Sequence, residues 1–159
     1  MPSRPFAPVR QATPADLDAL LALEQASFES DRISRAQWRR HIKSATAVVL
    51  VTGGAADGID AAAVVFYRRR SRIAWLYSLA VGARSRGAGL GGTLLAAAEA
   101  DARARGCESM RLEVRVGNGS AIALYEHRGY VRGTRIPGFY EDGTAAWRYM
   151  KHLTTVSRG

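Results

Sequence analysis

Arg84, Arg86 and the glycines at positions 87, 89, 91 and 92 stand between an apolar run that begins at Ser78 and a helix-forming segment that continues through Leu95. That order predicts a strand, a glycine-rich turn and a helix N-terminus. Such a turn holds phosphate, because the first amides of a helix have no intrahelical partner and the helix dipole adds partial positive charge beside them. Glycine admits a close anion and a positive φ, and the two arginines add full charges. The spacing Arg86-x-x-Gly89-x-Gly91 lacks the Gly-Lys-Ser/Thr ending of a nucleoside triphosphatase. Nor does an acidic residue about 20 residues on close a second strand, as a dinucleotide fold requires. A diphosphate ligand with no bound Mg²⁺ fits the pattern. The competing reading is a tight turn packed by small residues.

The elements that must position this loop follow from the pattern on either side of it. Residues 6–11 form a short strand candidate after a loose tail. Thr13 precedes a helix over 14–27, with Pro14 in its first turn and Leu17, Leu20, Leu21 and Glu24 at helical spacing. A second helix is expected over 34–44, with Trp38 and Ile42 on one face, and the loop that begins at Phe28 joins the two. Strands follow at 47–52, 59–67 and 72–81, the first two joined by a glycine-rich turn, with Arg68, Arg69 and Arg70 at a solvated hairpin end. A helix from about 90 to 105 ends at Gly106, and a strand covers 110–116. Ser120 is expected to cap a helix over 121–128, stopped by Gly129, with strands at 130–136 and 145–153. The order is β, α, α, three antiparallel strands, α, β, α, β, β. The fold class is therefore α/β (α+β): a mixed, mostly antiparallel central sheet with one parallel pair, helices on both faces, and a single domain over 1–159.

Length and composition agree with a soluble globular domain: 47% hydrophobic and 23% charged residues over 159 positions. No apolar run approaches the ~20 residues of a membrane span, and the first residues lack the apolar core of a signal peptide, so a cytoplasmic location is expected. The single cysteine, Cys107, reads as a small buried residue leading into a strand, and no Cys/His cluster has metal-site spacing. The net charge is +9, nearly all of its positive side being arginine. Such a field attracts polyanions in general. It leaves open an acidic acceptor or a ribosomal partner, but the Arg68 to Arg70 run lacks the aromatic residues that nucleic-acid binding would interleave with it.

Two parallel strands that pair at their start and end in different structures separate at their C-terminal ends. The gap would suit an extended, amide-bearing ligand bonded near Leu79 and Val81 as an added strand would be. Coenzyme A, with its pantetheine arm, has that form. The run Arg86-Gly87-Ala88-Gly89-Leu90-Gly91, five residues after Val81, resembles the cofactor loop of the GNAT family of N-acetyltransferases. The block over residues 112–130, LEVRVGNGSAIALYEHRGY, extends the likeness and is similar to the branch that acetylates protein N-termini, especially ribosomal-protein-alanine N-acetyltransferases.

The resemblance implies a GNAT-like sheet with acetyl-CoA as co-substrate and no metal. It places Leu79, Ala80 and Val81 on the pantetheine. Arg86, Gly87, Ala88, Gly89, Leu90, Gly91 and Gly92 fall on the diphosphate, and Asn118 lies near the pantetheine arm. It makes Tyr125 the general acid beside the thioester sulfur, a role within reach of a phenol of ordinary pKa ~10. Glu113 becomes the candidate base, acting directly or through water, against the alternative of a strand carboxylate paired with Arg111 or Arg115. Phe28 and Tyr140 fall on the acceptor side. There the chain departs from the branch: Phe139-Tyr140 replaces a tyrosine pair, Thr144-Ala145-Ala146 lacks an acidic residue, and the segment from Phe28 to Ser34 lacks a proline-tryptophan pattern. The expected reaction is acetyl transfer to a primary amine, foremost a protein or peptide N-terminal α-amine. Lysine side chains, polyamines or aminoglycosides are the alternative acceptors, and a non-catalytic acyl-CoA-binding module is the alternative class. The chain is expected to act as a monomer or homodimer, away from membranes and nucleic acid.

Overall fold

The computed structural model describes residues 8–54 and 58–153. Parts of the first strand candidate and of the first hairpin turn lie outside them. The strands are β1 (Arg10–Gln11), β2 (Ala47–Gly54), β3 (Gly58–Phe66), β4 (Ile73–Val81), β5 (Ser109–Arg115), β6 (Val131–Ile136) and β7 (Ala146–His152). The helices are α1 (Leu17–Ser27), α2 (Arg35–Lys43), α3 (Leu90–Ala104) and α4 (Gly119–His127). These match the expected order, with most boundaries moved by a residue or two; β1 is shorter than the expected 6–11, since residues 8 and 9 lie outside it. The first helix is preceded by a 3-10 turn at Pro14–Asp16. Ser34 caps α2 by accepting the Gln37 amide. At α4 the cap is Asn118, whose side chain accepts from Ala121 N; Ser120 instead donates its hydroxyl to Asn118. Asparagine at that turn reaches an amide three residues on, which a serine inside the first turn cannot.

All seven strands form one sheet in the order β1-β2-β3-β4-β5-β7-β6. Only β4 and β5 run parallel, joined through α3, and the remaining pairs are antiparallel. One core, between the sheet and α3 with α4, contains Leu76, Leu94, Leu95, Ala98, Met110, Leu112 and Tyr149. A second, beneath α1 and α2, contains Leu20, Leu23, Trp38, Val51 and Val64. Helices thus cover both faces. The alternation of β5 shows why: Met110, Leu112 and Val114 are buried toward α3, while Arg111, Glu113 and Arg115 face the other way.

The feature that makes a site is the separation of β4 from β5. They pair only from Ile73↔Ser109 to Trp75↔Arg111. Immediately afterwards the register of β4 against β3 jumps, Leu76 facing Val65 and Ser78 facing Val64, which leaves Tyr77 as an extra residue. A bulge bends and twists its strand, and here it turns β4 away from β5.

Candidate active site

The separated strands open a cleft of about 950 Å³. Its walls come from the end of α1 and the loop after it, from β4 and β5, from the start of α4, and from the loop between β6 and β7. Gly82 N donates to Asp60 O at 2.7 Å. Counting back through the antiparallel register, Ala80 also turns its amide toward β3, whereas Leu79 and Val81 turn theirs toward the gap. Ala80 therefore differs from its neighbours, with its amide spent on the sheet and its side chain buried in the core beneath α1.

The glycine loop follows. A 3-10 turn at Ala83–Ser85 is held to β3 by Ser85 Oγ donating to Asp60 at 3.2 Å. Gly87 and Gly89 both take positive φ, 82° and 81°, and a Cβ added to either would meet nothing within 4 Å. Gly89 is the N-cap of α3 and brings no side-chain cap, so the amides of Leu90, Gly91 and Gly92 have no capping side chain. Leu90 is buried in the core, Gly92 is buried beneath the Arg128 guanidinium, Gly91 lies beside Leu124 and Val81, and Arg86 and Ala88 are exposed. The chemistry of this donor set fits a diphosphate: open amides at a helix N-terminus, glycine backbone, and Arg84 and Arg86 exposed beside them.

Tyr125, on α4, lines the cleft with 7% of its surface exposed. Its ring meets Tyr130 edge-on at 5.8 Å, and its hydroxyl makes no hydrogen bond among the described residues. Burial, aided by the proximity of Tyr140, raises its pKa well above the ordinary phenol range, so Oη keeps its proton. Asn118, the N-cap of the same helix, lines the same cleft.

Glu113 also lines the cleft, but both of its oxygens are engaged. Trp75 Nε1 donates to Oε1 at 2.7 Å, Arg148 Nε to Oε2 at 2.8 Å, and Arg111 Nε lies 3.3 Å from Oε2. The pairing with Arg111 was one of the expected alternatives; Arg115 is turned elsewhere, and Arg148, directly across on β7, takes its place.

Phe28 and Tyr140, both expected on the acceptor side, line the cleft from the loop after α1 and the loop between β6 and β7. Tyr140, half-buried, has its pKa raised to about 12 by burial, partly offset by Arg115, with Glu113, Asp31 and Asp142 pushing it further up. Arg115 ties the two loops together. Its guanidinium lies 4.2 Å from the Tyr140 ring centroid and donates to Asp142 at 2.9 Å and to Ser30 at 2.8 Å. Asp31, left-handed at φ 55°, accepts the Glu141 amide and approaches Arg115 at 3.7 Å.

The sequence reading did not single out Arg115, Asp142 or Glu24 as site residues. Glu24 carried a visible signal: it continues the spacing of Leu17 and Leu20 on the inward stripe of α1, where a carboxylate is out of place. It is 3% exposed, accepts the Ile33 amide at 2.8 Å and lines the cleft. Burial raises its pKa.

Among the described residues no group of three or more His, Cys, Asp or Glu is arranged to hold a metal, and no helix is long and apolar enough to cross a membrane. A family model described as acetyltransferase (GNAT) family matches residues 17–130. The chain is 33% identical over 76 residues to N-alpha-acetyltransferase 30 of Schizosaccharomyces pombe, covering 48% of this chain and 51% of the relative. It spans no more than about half the length of the curated relatives it matches. Among solved structures it resembles Ard1 of Thermoplasma volcanium at 25% identity and a TM-score of 0.82, covering 92% of this chain and 97% of the other. It also resembles a ribosomal-protein-alanine N-acetyltransferase of Brucella melitensis at 25% identity and a TM-score of 0.77, covering 91% and 99%.

Proposed function

The chain belongs to the acetyltransferase (GNAT) family, and from that membership and the geometry of the cleft we propose that it transfers an acetyl group from acetyl-CoA to a protein or peptide N-terminal α-amine. Similarity to an N-alpha-acetyltransferase and to a ribosomal-protein-alanine N-acetyltransferase supports this acceptor over a lysine side chain or a small amine. Transfer is direct, within a ternary complex in the cytoplasm.

Acetyl-CoA supplies the activated acyl group. Arg86, Gly87, Ala88, Gly89, Leu90, Gly91 and Gly92 hold its diphosphate, the Leu79 and Val81 amides bond the pantetheine, and Asn118 lies beside that arm. The Val81 amide polarises the acyl oxygen as a preorganised donor. The observation that carries the reading is that Tyr125, largely buried, lines the cleft between β4 and β5 with a hydroxyl that has no hydrogen-bond partner among the described residues. A group there that keeps its proton can donate it at Oη to the departing sulfur as the new C–N bond forms and the C–S bond breaks. The proton lost by the amine passes through a water to the lone pair of Glu113 Oε1 that Trp75 leaves free, Oε2 being taken up by Arg148 and Arg111. An α-amine, with pKa ~8, is partly neutral near neutral pH and needs less help than lysine at ~10.4.

The test is CoA release against peptides with free α-amines, peptides with only a free lysine, polyamines and aminoglycosides. Release with α-amine peptides is expected; release with lysine or small amines alone would replace the acceptor. Silence across the panel with CoA still bound would favour an acyl-CoA sensor. Tyr125→Phe should lower turnover ~10²-fold or more with CoA binding intact; unchanged turnover would remove Tyr125 from the mechanism.

A further inference from the structure

The protein carries a net charge of +9, yet the acceptor half of its cleft has the opposite sign. The charged side chains on its walls are Glu24, Glu29, Asp31, Glu113 and Asp142, against Arg115 alone. Most of these carboxylates have partners. Asp31 and Asp142 share Arg115, and Glu113 is held between Arg148 and Arg111. Among the described residues Glu24 and Glu29 form no ion pair. They stand five residues apart around the end of α1, with Phe28 between them in the same wall.

Glu24 is the more telling of the two. One of its oxygens accepts the Ile33 amide and so fixes the loop between α1 and α2. The other has no partner among the described residues, although the residue is 3% exposed. Arg32, the nearby cation, spends its guanidinium on the carbonyls of Phe28 and Gln25. Fixing the loop requires one acceptor and no charge, so a glutamine would do it without the cost of burying a carboxylate. A cation arriving with the ligand offsets that cost. Glu29, exposed on the same wall, adds a second attraction at the mouth.

We propose that the acceptor is a peptide whose N-terminal residue is followed by lysine or arginine, the basic side chain lying against Glu24 and Glu29. This rests on the N-terminal reading above. It also reverses the expectation from composition that the arginine-rich surface would suit an acidic acceptor: those arginines are not in the acceptor wall, and Arg115 is consumed in tying the loops.

The test uses peptides Ala-X-Ser-Gly-Tyr-Gly with X = Arg, Lys, Ser or Glu, alongside spermidine. Initial rates of CoA release and calorimetric binding to the CoA-saturated protein are measured for the wild type, Glu24→Gln and Glu29→Gln. Glu24→Gln retains an oxygen for the Ile33 amide, and thermal melts check that both variants fold. The wild type should favour X = Arg or Lys over Ser by about tenfold in kcat/KM, equivalent to 1.4 kcal/mol, and over Glu by more. Added salt should shrink the ratio, and each variant should reduce the Arg-to-Ser ratio several-fold. Equal or Glu-favouring ratios, a ratio that neither variant moves, or a preference for spermidine over every peptide would overturn the proposal. Charge-selective binding with no CoA release from any peptide would sink the transferase reading and leave the charge recognition standing. Neither binding nor release with any peptide would overturn both.

Discussion

The guanidinium of Arg115 lies 4.2 Å from the ring centroid of Tyr140 while its two terminal nitrogens reach Asp142 on the same loop and Ser30 on the loop after α1. One side chain from β5 thus closes two loops that are 85 and 27 residues away in sequence. Its planar fork can bond both loops and stack at once, which an ammonium cannot.

Arg115→Ala, and to a lesser degree Arg115→Lys, should therefore loosen the acceptor side without touching the cofactor side. The expected result is a rise of about tenfold in KM for the acceptor peptide, with CoA affinity by calorimetry unchanged. A fall in kcat alone would place Arg115 in the chemistry instead.

The pH dependence of turnover should have one limb. Tyr125 titrates well above the ordinary phenol range and Tyr140 at about 12, so neither loses its proton near neutrality. As pH rises, kcat/KM for an α-amine peptide should climb through the acceptor's own pKa of ~8 and then stay level to pH ~10. A descending limb centred below pH 10 would show that a less perturbed group supplies the proton.

Gly89 is expected to resist substitution for a backbone reason. At φ 81°, with no protein atom within 4 Å of the place a methyl would take, alanine meets no clash but must adopt a left-handed conformation costing about 1–2 kcal/mol. Gly89→Ala should lower Tm by a few degrees and weaken CoA binding, measured by melt and calorimetry. Unchanged affinity would detach this amide cradle from the diphosphate.

Acid stability should report Asp16. Its side chain is 2% exposed and takes two bonds of 2.8 Å from Arg10 and one of 2.8 Å from Thr13 N. Arg10 holds its carboxyl below the usual range. The stabilisation is present above the unfolded-state value of ~3.9 and is lost as pH falls through the lower folded value. Asp16→Asn should cost about 1.5 kcal/mol at pH 7, discounted because Arg10 is 39% exposed, and should flatten the loss of Tm below pH 4. A parallel acid limb in the variant would assign the acid sensitivity elsewhere.

Much of this protein is readable one residue at a time. Period-two runs such as that of β5, the helical spacing of Leu94, Leu95, Ala98 and Ala102, and the positive-φ stops at Gly106 and Gly129 are local consequences of side-chain type. The glycine loop belongs with them, because its uncapped helix N-terminal amides come from consecutive residues. The family likeness over residues 112–130 likewise needs no coordinates.

What required the tertiary structure involves partners that are distant in the chain. The bulge at Tyr77 depends on the register of β4 against β3, and it is this bulge that turns the parallel pair into an open cleft. Glu113 meets Arg148 only because β7 lies antiparallel to β5 in that register, so strand spacing alone leaves Arg115 an equal claim on that carboxylate. Arg115 reads as an ordinary strand charge, and the inward position of Glu24 on α1 has no evident purpose, until the loops after α1 and between β6 and β7 are brought face to face. Local propensity decides which residues are helical or extended, but the sign of the field in the cleft is a sum over charges whose pairing only the folded chain determines.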